Sequence, residues 1–267
     1  MSNIYIFGGG TFGKIRNHLS LAAMAFGTTA RKLKQHLPQA ELVLTRMASE
    51  SSKLIYNDDV KLKLQECLDD DKTSVIIMNC ALCDFEGEID GVKSGSHATR
   101  LESRNSPFNM TLTVADKIIN IIKEQRPDIM VVGFKTTTRN TEDTMIKKAI
   151  RMGVDVVLAN DTVTRKNILV CVDANRHCYT VSDEREVLLK EIATMCEEKQ
   201  GLVIKETSSE VWVDVQYRNY HHYMEKDKAF TAACRSYGST QTHFIHLESH
   251  WSSVMEGVFI LRKRIVS

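Results

Sequence analysis

The residues best equipped for chemistry in this chain stand at the ends of short apolar runs. Gly8, Gly9, Gly10 and Thr11, with Phe12 and Gly13 behind them, follow the first run and precede a stretch rich in Ala and Leu. Glycines let a phosphate approach the backbone, and the start of a following helix offers free N–H groups to an anion. Gly8, Gly10 and Gly13 also satisfy GxGxxG, a spacing that a plain strand-to-helix turn produces too. Asp84 follows the third apolar run. A carboxylate there, beside a phosphate loop, either holds Mg2+ on a triphosphate or caps a turn. Phe134 and Lys135 end the fourth run. Phe134 is suited to stack on a base or to fill the core, and Lys135 to meet a phosphate. Asn160 and Asp161 end the fifth run, where they line a pocket or cap a turn. Cys80 and Cys83 form a CxxC without a second pair at zinc spacing, so they read as buried strand-end thiols rather than metal ligands.

These residues need a scaffold that brings strand ends together. Strands are expected at 3–7, 40–45, 74–80, 129–134 and 154–158, and helices at 19–36, 60–68, 112–124, 141–152 and 184–198, with a hairpin over 168–172 and 178–181. Near-continuous apolar strands alternating with helices indicate a Rossmann-like α/β fold, a mostly parallel sheet covered on both faces. Such sheets bind ligands at the carboxyl ends of their strands. After Gln200 the pattern changes. Strand-like runs at 202–205, 211–217, 242–246 and 258–265, with one helical stretch at 226–235, suggest a small β-rich extension. The expected division is therefore 1–198 and 199–267. His221, His222, His243, His246 and His250 fit no standard metal spacing and read as solvated or structural.

Bulk properties narrow the function classes. The 267 residues carry a net charge of +1, so no general attraction to nucleic acid or an anionic membrane is expected. The longest apolar stretch, 74–85, is shorter than the ~20 residues a membrane span needs. The opening residues do not read as a secretory signal, and the seven cysteines are odd in number and scattered. A reducing, cytoplasmic setting is the expectation.

Taken in order, several segments resemble the phosphopantothenate–cysteine ligase family. They are Gly9-Gly10-Thr11; Ile15-Arg16-Asn17-His18-Leu19-Ser20, similar to I-S-N-x-S-S; and Ala81-Leu82-Cys83-Asp84-Phe85, similar to A-V-A-D-F/Y. Next come Arg100-Leu101-Glu102-Ser103, similar to K-I-x-S, and Val132-Gly133-Phe134-Lys135 followed by Thr141-Glu142-Asp143. Last is the segment from Val154 to Asp161, which ends Ala159-Asn160-Asp161. The resemblance implies a ligase that joins 4′-phosphopantothenate to L-cysteine through an acyl-nucleotide, with CTP or ATP, Mg2+ and a homodimeric assembly. It implies that Asn17 holds the acyl carbonyl during amine attack and that Asp84 contacts the metal–triphosphate. Arg100 stands at the position of the family's lysine, with Lys93 a second candidate for that role. Phe134, Lys148, Asn160 and Asp161 would sit at the nucleotide.

The chain departs from the family where the loop before Asn17 is short and its arginine is missing. Lys14 and Arg16 are the two candidates to replace it. These departures keep a non-catalytic nucleotide-binding relative as an alternative. A NADP-dependent oxidoreductase is a weaker one, because the second strand ends in Thr45 and Arg46 rather than in an acidic residue.

Overall fold

In a computed structural model of the chain, each expected strand of the first 160 residues is a strand of one parallel sheet, buried on both faces. The structure describes residues 3–95, 100–105, 107–173, 176–200, 211–219, 244–251 and 257–265. The chain divides into two compact units, Met1–Gly201 and Leu202–Ser267.

The first unit opens with β1 (Asn3–Gly10), β2 (Phe12–Arg16), β3 (Leu19–Ala22), α1 (Thr28–His36), β4 (Glu41–Leu44) and α2 (Asn57–Asp69). There follow β5 (Thr73–Ala81), β6 (Phe85–Ile89), β7 (Val92–Lys93), β8 (Met110–Val114) and α3 (Ile118–Gln125). It closes with β9 (Met130–Thr137), α4 (Glu142–Ile150), β10 (Val156–Asp161), β11 (Asn167–Asp173), β12 (Arg176–Ser182) and α5 (Arg185–Gln200). The main sheet has seven strands in the order β12-β11-β10-β9-β5-β1-β4. The last five of that order are parallel to one another, and β11 and β12 are antiparallel additions.

Alternation makes two cores. Phe7 and Ile76 point to the face covered by Val60 and Leu64 of α2, Ile122 of α3 and Met145 of α4. Ile6 and Ile77 point to the opposite face, against Leu33 of α1 and Leu189 and Ile192 of α5. Strands buried on both sides have no polar face, which is why they read as continuous apolar runs.

Two expected helices are shorter than their sequences suggest. The helix expected over 19–36 begins only at Thr28, since residues 19–22 form β3 and pair antiparallel with β2. The Ala and Leu content of this stretch favours helix, but propensity is a weak term. A backbone bond from Ala23 N–H to the Thr11 carbonyl (3.0 Å) holds the segment across the end of β1 instead. The helix expected over 112–124 begins at Ile118, because 110–114 is β8, paired with β6. Val114 shares helical spacing with Ile118, yet it is 72% exposed and belongs to a small three-stranded sheet, β7-β6-β8.

The second unit is an antiparallel sheet in the order β13 (Val211–Asn219), β15 (Gly257–Ile265), β14 (Phe244–Trp251). The strand expected at 202–205, the helix expected at 226–235, and His221, His222 and His243 lie outside the described residues.

Candidate functional site

The parallel order β4-β1-β5 places a topological switch at β1. The chain leaves β1 for β4 on one side and returns through α2 to β5 on the other. Ligands of open α/β sheets bind outside the carboxyl ends of strands at such a point. A cleft of about 460 Å³ opens there.

Three segments make up most of the cleft, and Ser94, Gly95 and Ala115 complete it. Phe12, Gly13 and Lys14 come from β2, Tyr56 to Asp59 from the start of α2, and Cys83, Phe85 and Glu86 from the chain leaving β5. Its floor is a hydrogen-bond network. The Thr11 hydroxyl donates to Asn57 Oδ1 (2.6 Å), and the Cys83 N–H donates to the Thr11 hydroxyl (2.9 Å). The Asn57 amide donates back to the Cys83 carbonyl (2.8 Å). Thr11 is fully buried, so its hydroxyl ties three elements together rather than facing a ligand.

The charges of the cleft are uneven. Lys14 lies over the Tyr56 ring, with its ammonium 5.2 Å from the centroid. Asp59 is committed to the start of α2, where its carboxylate accepts from the N–H groups of Ile55 and Tyr56, both at 2.8 Å. Asp58 and Glu86 are exposed on the wall.

The structure places the two candidates for the missing arginine differently. Arg16 is 2% exposed, and its guanidinium donates to the carbonyls of Ile15 (2.7 Å), Ile89 (3.3 Å) and Val92 (3.3 Å). It pins the β2–β3 hairpin to the β6–β7 turn, which leaves Lys14 as the cation that lines the cleft.

The expected glycine loop is different from its sequence reading. Gly8, Gly9 and Gly10 are the last residues of β1, paired with Asn79, Cys80 and Ala81 of β5, and a hairpin separates them from α1. A Cβ on Gly8 would fall 2.3 Å from that of Ala30, and one on Gly10 would fall 1.9 Å from the Ala23 carbonyl oxygen. Gly9 has φ 102°. The protein's own chain fills the space over these glycines. Asn17 does not cap a helix at Leu19; it sits exposed with His18 at the tip of the β2–β3 hairpin.

Other expected residues lie around the strand ends. Asp84 is exposed and paired with Lys117. Lys93 is exposed in β7 next to Ser94, which lines the cleft, and Arg100 is exposed. Phe134 is half-buried against the α1–α5 core, and Lys135 is half-buried in β9. Lys148 reaches back from α4 to the Asn140 side chain (2.9 Å), at the carboxyl end of β9. The Asn160 side chain accepts from the Thr136 hydroxyl at 3.5 Å. Asp161 is buried and accepts from the N–H groups of Asn140, Val163 and Thr164 and from the Thr137 hydroxyl, all at 2.9–3.0 Å. Those bonds hold its carboxyl well below the usual carboxylate range. Cys80 and Cys83 are free thiols, and burial pushes Cys80 up to about 12. Among the described residues no three His, Cys, Asp or Glu side chains converge on a metal-sized point, and no helix is long and apolar enough to cross a membrane.

Residues 35–200 match the family model of the DNA/pantothenate metabolism flavoprotein C-terminal domain. The chain belongs to this family. Solved structures share its fold. One is the DNA/pantothenate metabolism flavoprotein from Streptococcus pneumoniae, with 20% identity, a TM-score of 0.60, and coverage of 75% of this chain and 98% of that one. Another is the C-terminal domain of the coenzyme A biosynthesis bifunctional protein CoaBC, with 17% identity, a TM-score of 0.51, and coverage of 74% and 96%. No curated protein sequence matches the chain.

Sequence reasoning passed over Tyr56, Asp58 and Glu86. The signal for Asp58 was present: the run Asn57-Asp58-Asp59 opens the helix that follows the second parallel strand, at the carboxyl edge of the sheet. Glu86 had no local signal, since its place on the wall depends on β6 folding under β2.

Proposed function

We propose that this chain is a ligase of coenzyme A biosynthesis, joining 4′-phosphopantothenate to L-cysteine. Membership in a family named for pantothenate metabolism carries the reading. The cleft at the topological switch supplies the place for it. In such a ligase the substrate carboxylate attacks the nucleotide, pyrophosphate leaves, and the acyl-nucleotide forms. The cysteine amine then attacks the acyl carbon, and the nucleoside monophosphate departs as the amide forms. Both steps develop negative charge on oxygen, so they call for cations and N–H donors rather than a covalent nucleophile.

CTP or ATP is the proposed nucleotide, accompanied by Mg2+, which would neutralise phosphate charge when bound. Mg2+ is commonly held through one or two carboxylates together with substrate phosphates. Asp84, exposed beyond the end of β5 and paired with Lys117, is the proposed contact for that metal. Lys135 and Lys148, at the carboxyl end of β9, are the proposed phosphate contacts, and Asn17 at the hairpin tip is the proposed donor to the acyl oxygen. A second reading, a nucleotide-binding relative without catalysis, draws on the departures from the family's pattern near Asn17 and at Arg100.

The test is pyrophosphate release with 4′-phosphopantothenate, Mg2+ and either CTP or ATP, followed by mass spectrometry of the amide after L-cysteine is added. Release and amide formation are expected with one of the two nucleotides. Nucleotide binding without release would select the non-catalytic relative. Stabilisation by NADP+ alone would remove both readings.

A further inference from the structure

We infer that the cleft at the switch point is the amino-acid site of this ligase, and that it recognises a zwitterion, Lys14 taking the carboxylate and Asp58 and Glu86 the ammonium. The inference rests on the ligase reading for the identity of the amino acid, but not for the charge pattern.

The charges that line the cleft sort into committed and uncommitted groups. Asp59 is bound to the backbone at the start of α2. Arg16, close by in sequence, is bound to carbonyls and lies outside the cleft lining. What remains is one cation, Lys14, and two carboxylates, Asp58 and Glu86. None of these three has an ion-pair partner among the described residues. The Lys14 ammonium stands over the Tyr56 ring, 5.2 Å from its centroid. A lining that carries one unpaired cation and two unpaired carboxylates suits a small ligand that carries both charges.

The same arrangement opposes other occupants. A triphosphate or a phosphomonoester would face two carboxylates for a single lysine, and like charges at short range repel. A simple amine would leave Lys14 unanswered, and a simple acid would leave Asp58 and Glu86 unanswered. The walls contributed by Phe12 and Phe85 suit an apolar or thiol-bearing side chain. At about 460 Å³ the cleft is larger than a small amino acid needs, which leaves room for the acyl group that its amine must meet.

Binding of three small thiols to the full-length protein, measured by calorimetry, tests the charge pattern without any ligase turnover. L-Cysteine carries both charges, cysteamine lacks the carboxylate, and 3-mercaptopropionate lacks the ammonium. The expected result is that cysteine binds ~10- to 100-fold more tightly than either analogue, the scale of one hydrogen bond to a charged group. In Lys14→Met the advantage of cysteine over cysteamine should collapse while its advantage over 3-mercaptopropionate persists. Asp58→Asn combined with Glu86→Gln should do the reverse, and Lys14→Arg should restore most of the cysteine preference. Equal binding of the three thiols by the wild type, or an unchanged cysteine-to-cysteamine ratio in a folded Lys14→Met, overturns the inference. Absence of pyrophosphate release by the wild type would instead overturn the ligase reading and leave the binding pattern to be judged on its own.

Discussion

Arg16 and Asp161 show how charged residues can serve the scaffold of a site rather than its ligand. Arg16 is a buried guanidinium whose partners are all carbonyls, and its Nε finds none among the described residues. Burying such a charge is costly, and the Ile89 and Val92 carbonyls repay part of the cost. Arg16→Met should therefore keep the volume, strand those two carbonyls, and lower stability by ~2–4 kcal/mol in urea unfolding. Loss of less than ~0.5 kcal/mol would mean that the hairpin is anchored elsewhere. Asp161 acts through pH. Its folded-state carboxyl titrates below the unfolded value, so its contribution is fully present above that value and is lost as pH falls through the acidic range. Between pH ~5 and ~2 the wild type should lose stability more steeply than Asp161→Asn, which should already be the less stable protein at pH 7. Parallel melting curves for the two proteins across that range would contradict this account.

At the scale of elements, the glycines at the end of β1 are set by packing. Gly10→Ala would drive a methyl into the Ala23 carbonyl, 1.9 Å from an ideal Cβ, and backbone cannot swing away as a side chain can. A stability loss of ~1–3 kcal/mol or more is expected, readable in the melting temperature of the ligand-free protein. A glycine kept only for a phosphate would lose nucleotide affinity instead and melt normally. This distinction marks where the sequence was legible. The parallel strands announced themselves because burial on both faces leaves an unbroken apolar run. β3 did not, because its exposed Leu-Ser-Leu-Ala also suits a helix, and β8 did not, because it is exposed and Val114 falls at helical spacing with Ile118 and Ile122. What makes them strands is their partners, and β8 pairs with a strand more than twenty positions away. Asp84, Lys135 and Asn160 could be placed at strand ends from the sequence alone. The cleft could not be read in this way, since Lys14, Asp58 and Glu86 meet only after the β2–β3 hairpin crosses the exit of β5.

For the whole molecule, the remaining question is what covers β8. This strand ends the β7-β6-β8 sheet, and all five of its residues are exposed. Met110, Leu112 and Val114 share one face, and Phe85 stands opposite Val114 in register. These four residues are 44%, 46%, 72% and 45% exposed, respectively Met110, Leu112, Val114 and Phe85. An open edge with an apolar face invites pairing with another strand, and protein edges are usually protected by charge or by a neighbour. β8 itself, Met-Thr-Leu-Thr-Val, carries no charge to protect it. The proposed homodimer would bury this face by two-fold pairing of the same surface on two copies. Light scattering should then report about twice the 30.2 kDa of one chain. Leu112→Lys with Val114→Lys should shift the protein to a single chain without lowering the melting temperature of the protomer, since neither side chain contributes to a buried core. A wild type that already scatters as one chain would refute the dimer. A doubly substituted protein that still scatters as two would move the interface away from β8. Because Phe85 belongs both to this face and to the cleft, dissociation should also weaken cysteine binding, tying the assembly to the site.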